Sequence, residues 1–141
     1  KKLLFISILL LAAFLLVEEF CFYMLGIEMP EAFIEFILSE PILLGFLSVV
    51  VVAPIIEEFL FRGFLYSQLR RSFLKDWGAM AVSSLVWTAI HFQYEVGILF
   101  FLFLFGLFLG YFRIKYNSLL IPVALHTLNN LIAFILTIYF P

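Results

Sequence analysis

The chain has 141 residues, 66% of them hydrophobic and 13% charged, with a mean hydropathy of +1.21. A soluble globule this small has a large surface-to-volume ratio to cover with polar groups, and there are too few, so a soluble domain is excluded and the chain belongs in a bilayer. A net charge of −2 with 8 basic residues gives no nucleic-acid footprint, and the single Cys21 allows neither an internal disulfide nor a cysteine zinc knot.

At about 20 residues per span, the expected architecture is all-α. Residues 1–141 read as a single transmembrane domain, a polytopic helical bundle of about five transmembrane helices plus a short interfacial helix. The first helix is expected from Leu3 to Leu25, its apolar part ending at Val17. Lys1-Lys2 and the following apolar run resemble a signal peptide. The run ends in Val17-Glu18-Glu19-Phe20-Cys21, without a small-residue cleavage site, so the helix is expected to be retained. The first residue is not Met, which points to trimming at the N-terminus. Gly26 stops the helix and Pro30 follows. Residues 31–38 are too short to cross and place acids and apolar groups at helical spacing, the pattern of an interfacial helix. Pro41 opens a long helix reaching about Arg71, with Pro54 inside it. A short, comparatively polar helix follows from Trp77 to about Phe92. A Phe/Leu-rich span runs from about Glu95 to Arg113. The last runs from Ser118 to about Phe140, with Pro122 in its first turn, where the missing N–H is harmless. Gly106 and Gly110 form a Gly-x-x-x-Gly, expected to let another helix of the same chain approach closely.

The connections alternate in charge. Lys1, Lys2, Arg70, Arg71, Lys75, Arg113 and Lys115 fall on one side; Glu28, Glu31, Glu35, Glu40 and Glu95 fall on the other. The positive-inside rule then places the N-terminus inside and the C-terminus outside.

Ionisable groups within spans cost about 2.5–3.5 kcal/mol each at a helix centre, and those that occur are functional candidates. Glu18 and Glu19 lie about 22 Å along the first helix and read as interfacial and solvated. Glu57, Glu58 and Arg62 lie deep in the second span. Glu58 and Arg62, at i,i+4, share a face and can neutralise each other, as architecture or as chemistry. Glu57 is about 140° from Arg62 on the helical wheel and has no cation on its own helix, which suits a general base or acid. His91 follows Trp87 by four residues, so the indole can wall the imidazole; alone it would read as an interfacial residue. His126 and Asn130 share one face of the last span, as interhelical hydrogen-bonding groups or as site residues. Counted from the expected cytoplasmic helix ends, Glu57 and His91 lie about 21 Å deep, His126 about 12 Å and Asn130 about 18 Å. An acid, two histidines and an amide thus come within about two turns in depth.

These residues resemble the three motifs of the CAAX protease and bacteriocin-processing (CPBP, or Abi) membrane family, which includes the type II CAAX prenyl endopeptidases. The motifs stand here as Glu57-Glu58-x-x-x-Arg62, Trp87-x-x-x-His91 and His126-x-x-x-Asn130, and the family-like core covers about residues 41–138. Trp87 replaces the usual Phe, one bulky aromatic for another. The resemblance implies a glutamate-dependent intramembrane protease without a required cofactor, in the cytoplasmic membrane of a bacterium. By the same resemblance it would act on a membrane-presented or lipidated peptide. Glu57 and His91 would activate water, His126 and Asn130 would stabilise the oxyanion, and Glu58, Arg62 and Trp87 would support them. Zinc is the mechanistic rival, since two histidines and a glutamate are a known ligand set, although no His-Glu-x-x-His is present. The alternative from another class is a non-catalytic membrane partner, such as a bacteriocin self-immunity protein or a regulator of a membrane signalling protein. An ion or proton pathway has the intramembrane acids in its favour but no chain of acids across the bilayer.

Overall fold

The computed structural model describes residues 2–39 and 41–140, with side chains from residue 4 onward. Lys1, the Lys2 side chain and Glu40, part of the expected charge alternation, lie outside that description. Among the described residues six helices follow one another: α1 (Lys2–Leu25), α2 (Glu31–Ser39), α3 (Ile42–Leu69), α4 (Lys75–Ala89), α5 (Val96–Tyr116) and α6 (Leu120–Tyr139). No strand occurs among the described residues. This is a polytopic membrane bundle. α1, α3, α5 and α6 are each long and apolar enough to cross a bilayer. α4, expected as the third of five spans, has 15 residues, about 22 Å, and buries Ser83, Ser84 and Thr88 against its neighbours.

Local chemistry sets the helix ends. α1 stops where Gly26 takes φ +66°, and Ile27 N–H reaches back to Phe22 O at 3.0 Å. This is the six-to-one bond of a Schellman cap, which glycine adopts without a Cβ penalty. α5 ends at Asn117 in the left-handed region (φ 45°), its Oδ1 accepting from Arg113 NH1 at 3.2 Å. Tyr66 OH donates to Asp76 Oδ1 at 2.6 Å and Arg70 pairs with the same oxygen at 3.0 Å. That ties the end of α3 to the start of α4.

α3 is not a uniform α-helix. Two π segments, Phe46–Val52 and Phe59–Leu65, flank a short α stretch holding Pro54, Glu57 and Glu58. Ala53 N–H bonds Ser48 O, five residues back, so Val49 O loses its α partner. The next donor in a π pattern is residue 54, a proline without an N–H. Asn130 Nδ2 takes that carbonyl at 2.9 Å. In the second segment Tyr66 N–H bonds Phe61 O, and Arg113 Nε takes the bypassed Arg62 O at 3.1 Å. Each irregularity is thus closed by a side chain from another helix, as a low-dielectric interior requires.

Polarity is inverted relative to a soluble protein. Glu58, Arg62, Ser84, Thr88 and His126 are inside, whereas Leu9, Leu16, Phe20, Leu43 and Phe64 are exposed. The apolar core around them joins Leu11, Phe61, Trp87, Phe105, Leu109, Phe112 and Leu125. The Gly-x-x-x-Gly of α5 is used within the chain, against α4. A Cβ on Gly106 would meet Ser84 Cβ at 2.9 Å, and one on Gly110 would run into Met80.

Candidate active site

α3, α4 and α6 bring the three motifs to one place. Arg62 NH1 donates to Glu58 Oε1 at 3.0 Å, the i,i+4 pair expected from spacing. Its NH2 donates to Gly106 O at 3.0 Å. His126 Nδ1 meets the same Glu58 oxygen at 3.0 Å. A carboxylate only accepts, so the His126 proton sits on Nδ1, and Nε2 is the nitrogen 3.9 Å from Glu57 Oε2. Buried Glu58 therefore orients His126, much as a triad carboxylate orients its histidine.

Glu57 stands apart from this pair. Its side chain is 23% exposed, against 0% for Glu58, so only Glu57 is open to a reactant. Trp87 Nε1 donates to its Oε2 at 2.6 Å. Trp87 O in turn accepts from His91 Nδ1 at 2.9 Å, which leaves the neutral His91 ring with an unprotonated Nε2. The indole edge contacts both imidazoles, with ring centroids 5.1 Å from His91 and 5.6 Å from His126. His91 itself lies in the turn beyond α4, since the helix ends at Ala89 rather than near Phe92.

These groups face a cavity of about 450 Å³, lined by Glu57, Trp87, His91, His126 and Asn130 on one wall. Phe22, Phe33 and Leu102 form part of its apolar remainder. Glu18 and Glu19, expected as solvated interfacial acids, line the same cavity, with Glu18 half-buried. Asn129 and Tyr94 are among the lining residues that lay outside the sequence candidates. Asn129 donates to Asn130 Oδ1 at 3.3 Å. Tyr94 stacks on His91 at 5.9 Å, and burial, reinforced by the Glu57 carboxylate, pushes its phenol up. Their signals were slight: one asparagine beside another, and a tyrosine three residues after a histidine. Among the described residues, no three of His, Cys, Asp and Glu are grouped to hold a metal ion.

Comparison with known proteins adds an independent line. Residues 39–132, two thirds of the chain, match the family described as type II CAAX prenyl endopeptidase Rce1-like. The chain belongs to that family. Membership places it with membrane-embedded proteases at the level of the family. It is 37% identical over 87 residues to an uncharacterized 24.3 kDa protein of Escherichia coli, across 60% of this chain and 40% of that protein. The chain thus spans well under two thirds of that relative. No solved structure matches it.

Proposed function

We propose that the chain is an intramembrane endopeptidase that hydrolyses a peptide bond in a membrane-presented or lipidated peptide, in a bacterial cytoplasmic membrane with the N-terminus inside. The observation that carries this reading is that one cavity is lined by partly open Glu57 together with His91, His126 and Asn130, while Glu58 and Arg62 are buried out of reach. Water held by Glu57 and His91 adds its oxygen to the carbonyl carbon and gives a proton to Glu57. Asn130 supplies a hydrogen-bond donor to the oxyanion, and His126 joins it when its Nε2 also carries a proton, in a dry setting where such donors act most strongly. Asn130 has two amide hydrogens; one is committed to Val49 O, and the second is the donor for the reaction. As the C–N bond breaks, the proton on Glu57 passes to the leaving amine. No step runs through a metal.

The test is cleavage of a panel of prenylated C-terminal peptides, bacteriocin leaders and signalling-peptide precursors in reconstituted membranes. Wild type should cleave at least one class, while Glu57→Ala and His91→Ala, expressed at wild-type levels, should cleave none. Wild-type rates in both variants would overturn the mechanism, and a binding function that survives Glu57→Ala would favour a non-catalytic partner.

A further inference from the structure

We infer that Trp87 is a positioning residue: its indole N–H fixes the Glu57 carboxylate for attack, and Arg62 strengthens that donor through the indole ring. The inference rests on the reading of Glu57 as the base. It turns what the family resemblance presented as a swap of one bulky aromatic for another into a functional difference, since phenylalanine has no N–H.

The geometry carries it in three steps. The Nε1–Oε2 distance of 2.6 Å is at the short end for an N–H donor and belongs with charge-assisted bonds. Trp87 is 1% exposed, so no solvent acceptor competes for its N–H. The indole can only donate, and it holds Oε2, the same oxygen that lies nearest His126 Nε2. That leaves Oε1 as the oxygen to receive a proton from water. Finally, the Arg62 guanidinium sits 4.8 Å from the centroid of the Trp87 ring. A cation on the π face draws electron density from the indole, so its N–H becomes a better donor. Arg62 makes its own charged bond to Glu58 and no hydrogen bond to Glu57, and it touches the ring of the donor that holds Glu57.

One residue thereby aligns both water-activating groups. Its side chain holds Glu57 and its carbonyl holds His91 Nδ1. The tight ring packing against Phe105, His91 and His126 leaves little room for the indole to turn away.

The experiment uses the full chain in lipid nanodiscs, in a Trp77→Phe background. Trp77 is 61% exposed and outside the cavity; with two tryptophans in the chain, this leaves Trp87 as the sole indole. Nitrogen-15 NMR of the indole N–H needs no substrate. The signal should lie downfield of a free indole and move upfield in Glu57→Ala. Kinetics on the substrate found by the panel supply the second readout. Replacing Trp87 by the isosteric analogue with sulfur in place of N–H should lower kcat about ten- to a hundredfold, the span of one charge-assisted hydrogen bond. KM and the thermal unfolding midpoint should hold. Trp87→Phe should lose kcat to the same degree. An indole signal indifferent to Glu57→Ala, or a sulfur analogue with wild-type kcat, overturns the inference. A shifted signal in a chain that cleaves no peptide keeps the Trp87–Glu57 bond and overturns the protease reading alone.

Discussion

Replacing Arg62 with Met should be among the most costly single changes in the protein. The substitution keeps much of the side chain's length and apolar stem but removes three interactions. These are the bond to Glu58 at 3.0 Å, the bond to Gly106 O at 3.0 Å and the cation over Trp87 at 4.8 Å. What is left behind matters more than what is lost. Glu58 is fully buried, its Oε2 has no hydrogen-bond partner among the described residues, and Oε1 would keep only His126. Stranding one member of a buried pair costs about 3–5 kcal/mol, and the surviving His126 bond favours the lower half of that range. At about 1.4 kcal/mol per tenfold, 4 kcal/mol lowers the folding constant roughly a thousandfold. Removing the charge opposite should return part of this. Glu58→Gln combined with Arg62→Met is expected to cost about 2 kcal/mol less than the two single changes taken together, within the range measured for coupled neighbours. Both quantities can be read from reversible unfolding by denaturing detergent added to mild micelles. If Arg62→Met falls within about 1 kcal/mol of wild type, or the double variant is additive, the pair is not the anchor described here.

The two glycines of α5 should respond unequally. Gly106→Ala drives a methyl against Ser84 Cβ, which is fixed to its helix, and should cost about 2 kcal/mol; Gly110→Ala meets flexible Met80 and should cost about 1 kcal/mol by the same unfolding assay. Asn130→Ala leaves Val49 O unpaired and should cost about 1–3 kcal/mol. The cost should shrink in a Pro54→Ala background, where residue 54 regains an N–H; an unchanged cost would refute the pairing of these two positions. Peptide cleavage should persist in excess chelator, and a loss restored by zinc would replace the glutamate mechanism with a metal one.

Features governed by neighbours along the chain were the readable ones. The first helix was expected from Leu3 to Leu25 and spans Lys2–Leu25, because an apolar run and a following glycine are enough to define it. The Glu58–Arg62 bond was equally legible, since i,i+4 geometry is set within one helix. The π segments were not. A run such as Val49-Val50-Val51-Val52 is apolar on every side, so its pattern carries no phase from which a change in hydrogen bonding could be read. Pro54 announced a missing donor without saying which carbonyl would be stranded or that Asn130 would reach it. At the site, the wheel found no cation for Glu57 on its own helix. Its hydrogen bond comes from α4, and the Trp87 contact depends on a helix crossing that spacing within either segment does not encode. Glu18 was misjudged for the same reason, because its position along α1 gives depth but not the wall it faces, whereas Glu19 is exposed.

The π segments also make α3 a helix whose two ends are out of phase. Closing the i→i−4 ladder across Phe46–Val52 with every residue kept would turn everything downstream by about 100°, because the wide turns absorb one extra residue. Glu57 and Glu58 would swing off the face that meets Trp87 and His126, with hydropathy and span length almost unchanged. The aim of the carboxylates is therefore stored upstream, in the wide turns of a stretch containing only Phe, Leu, Ser and Val. Loss of one residue there can be absorbed as the wide turn closes, whereas closure with every residue kept cannot.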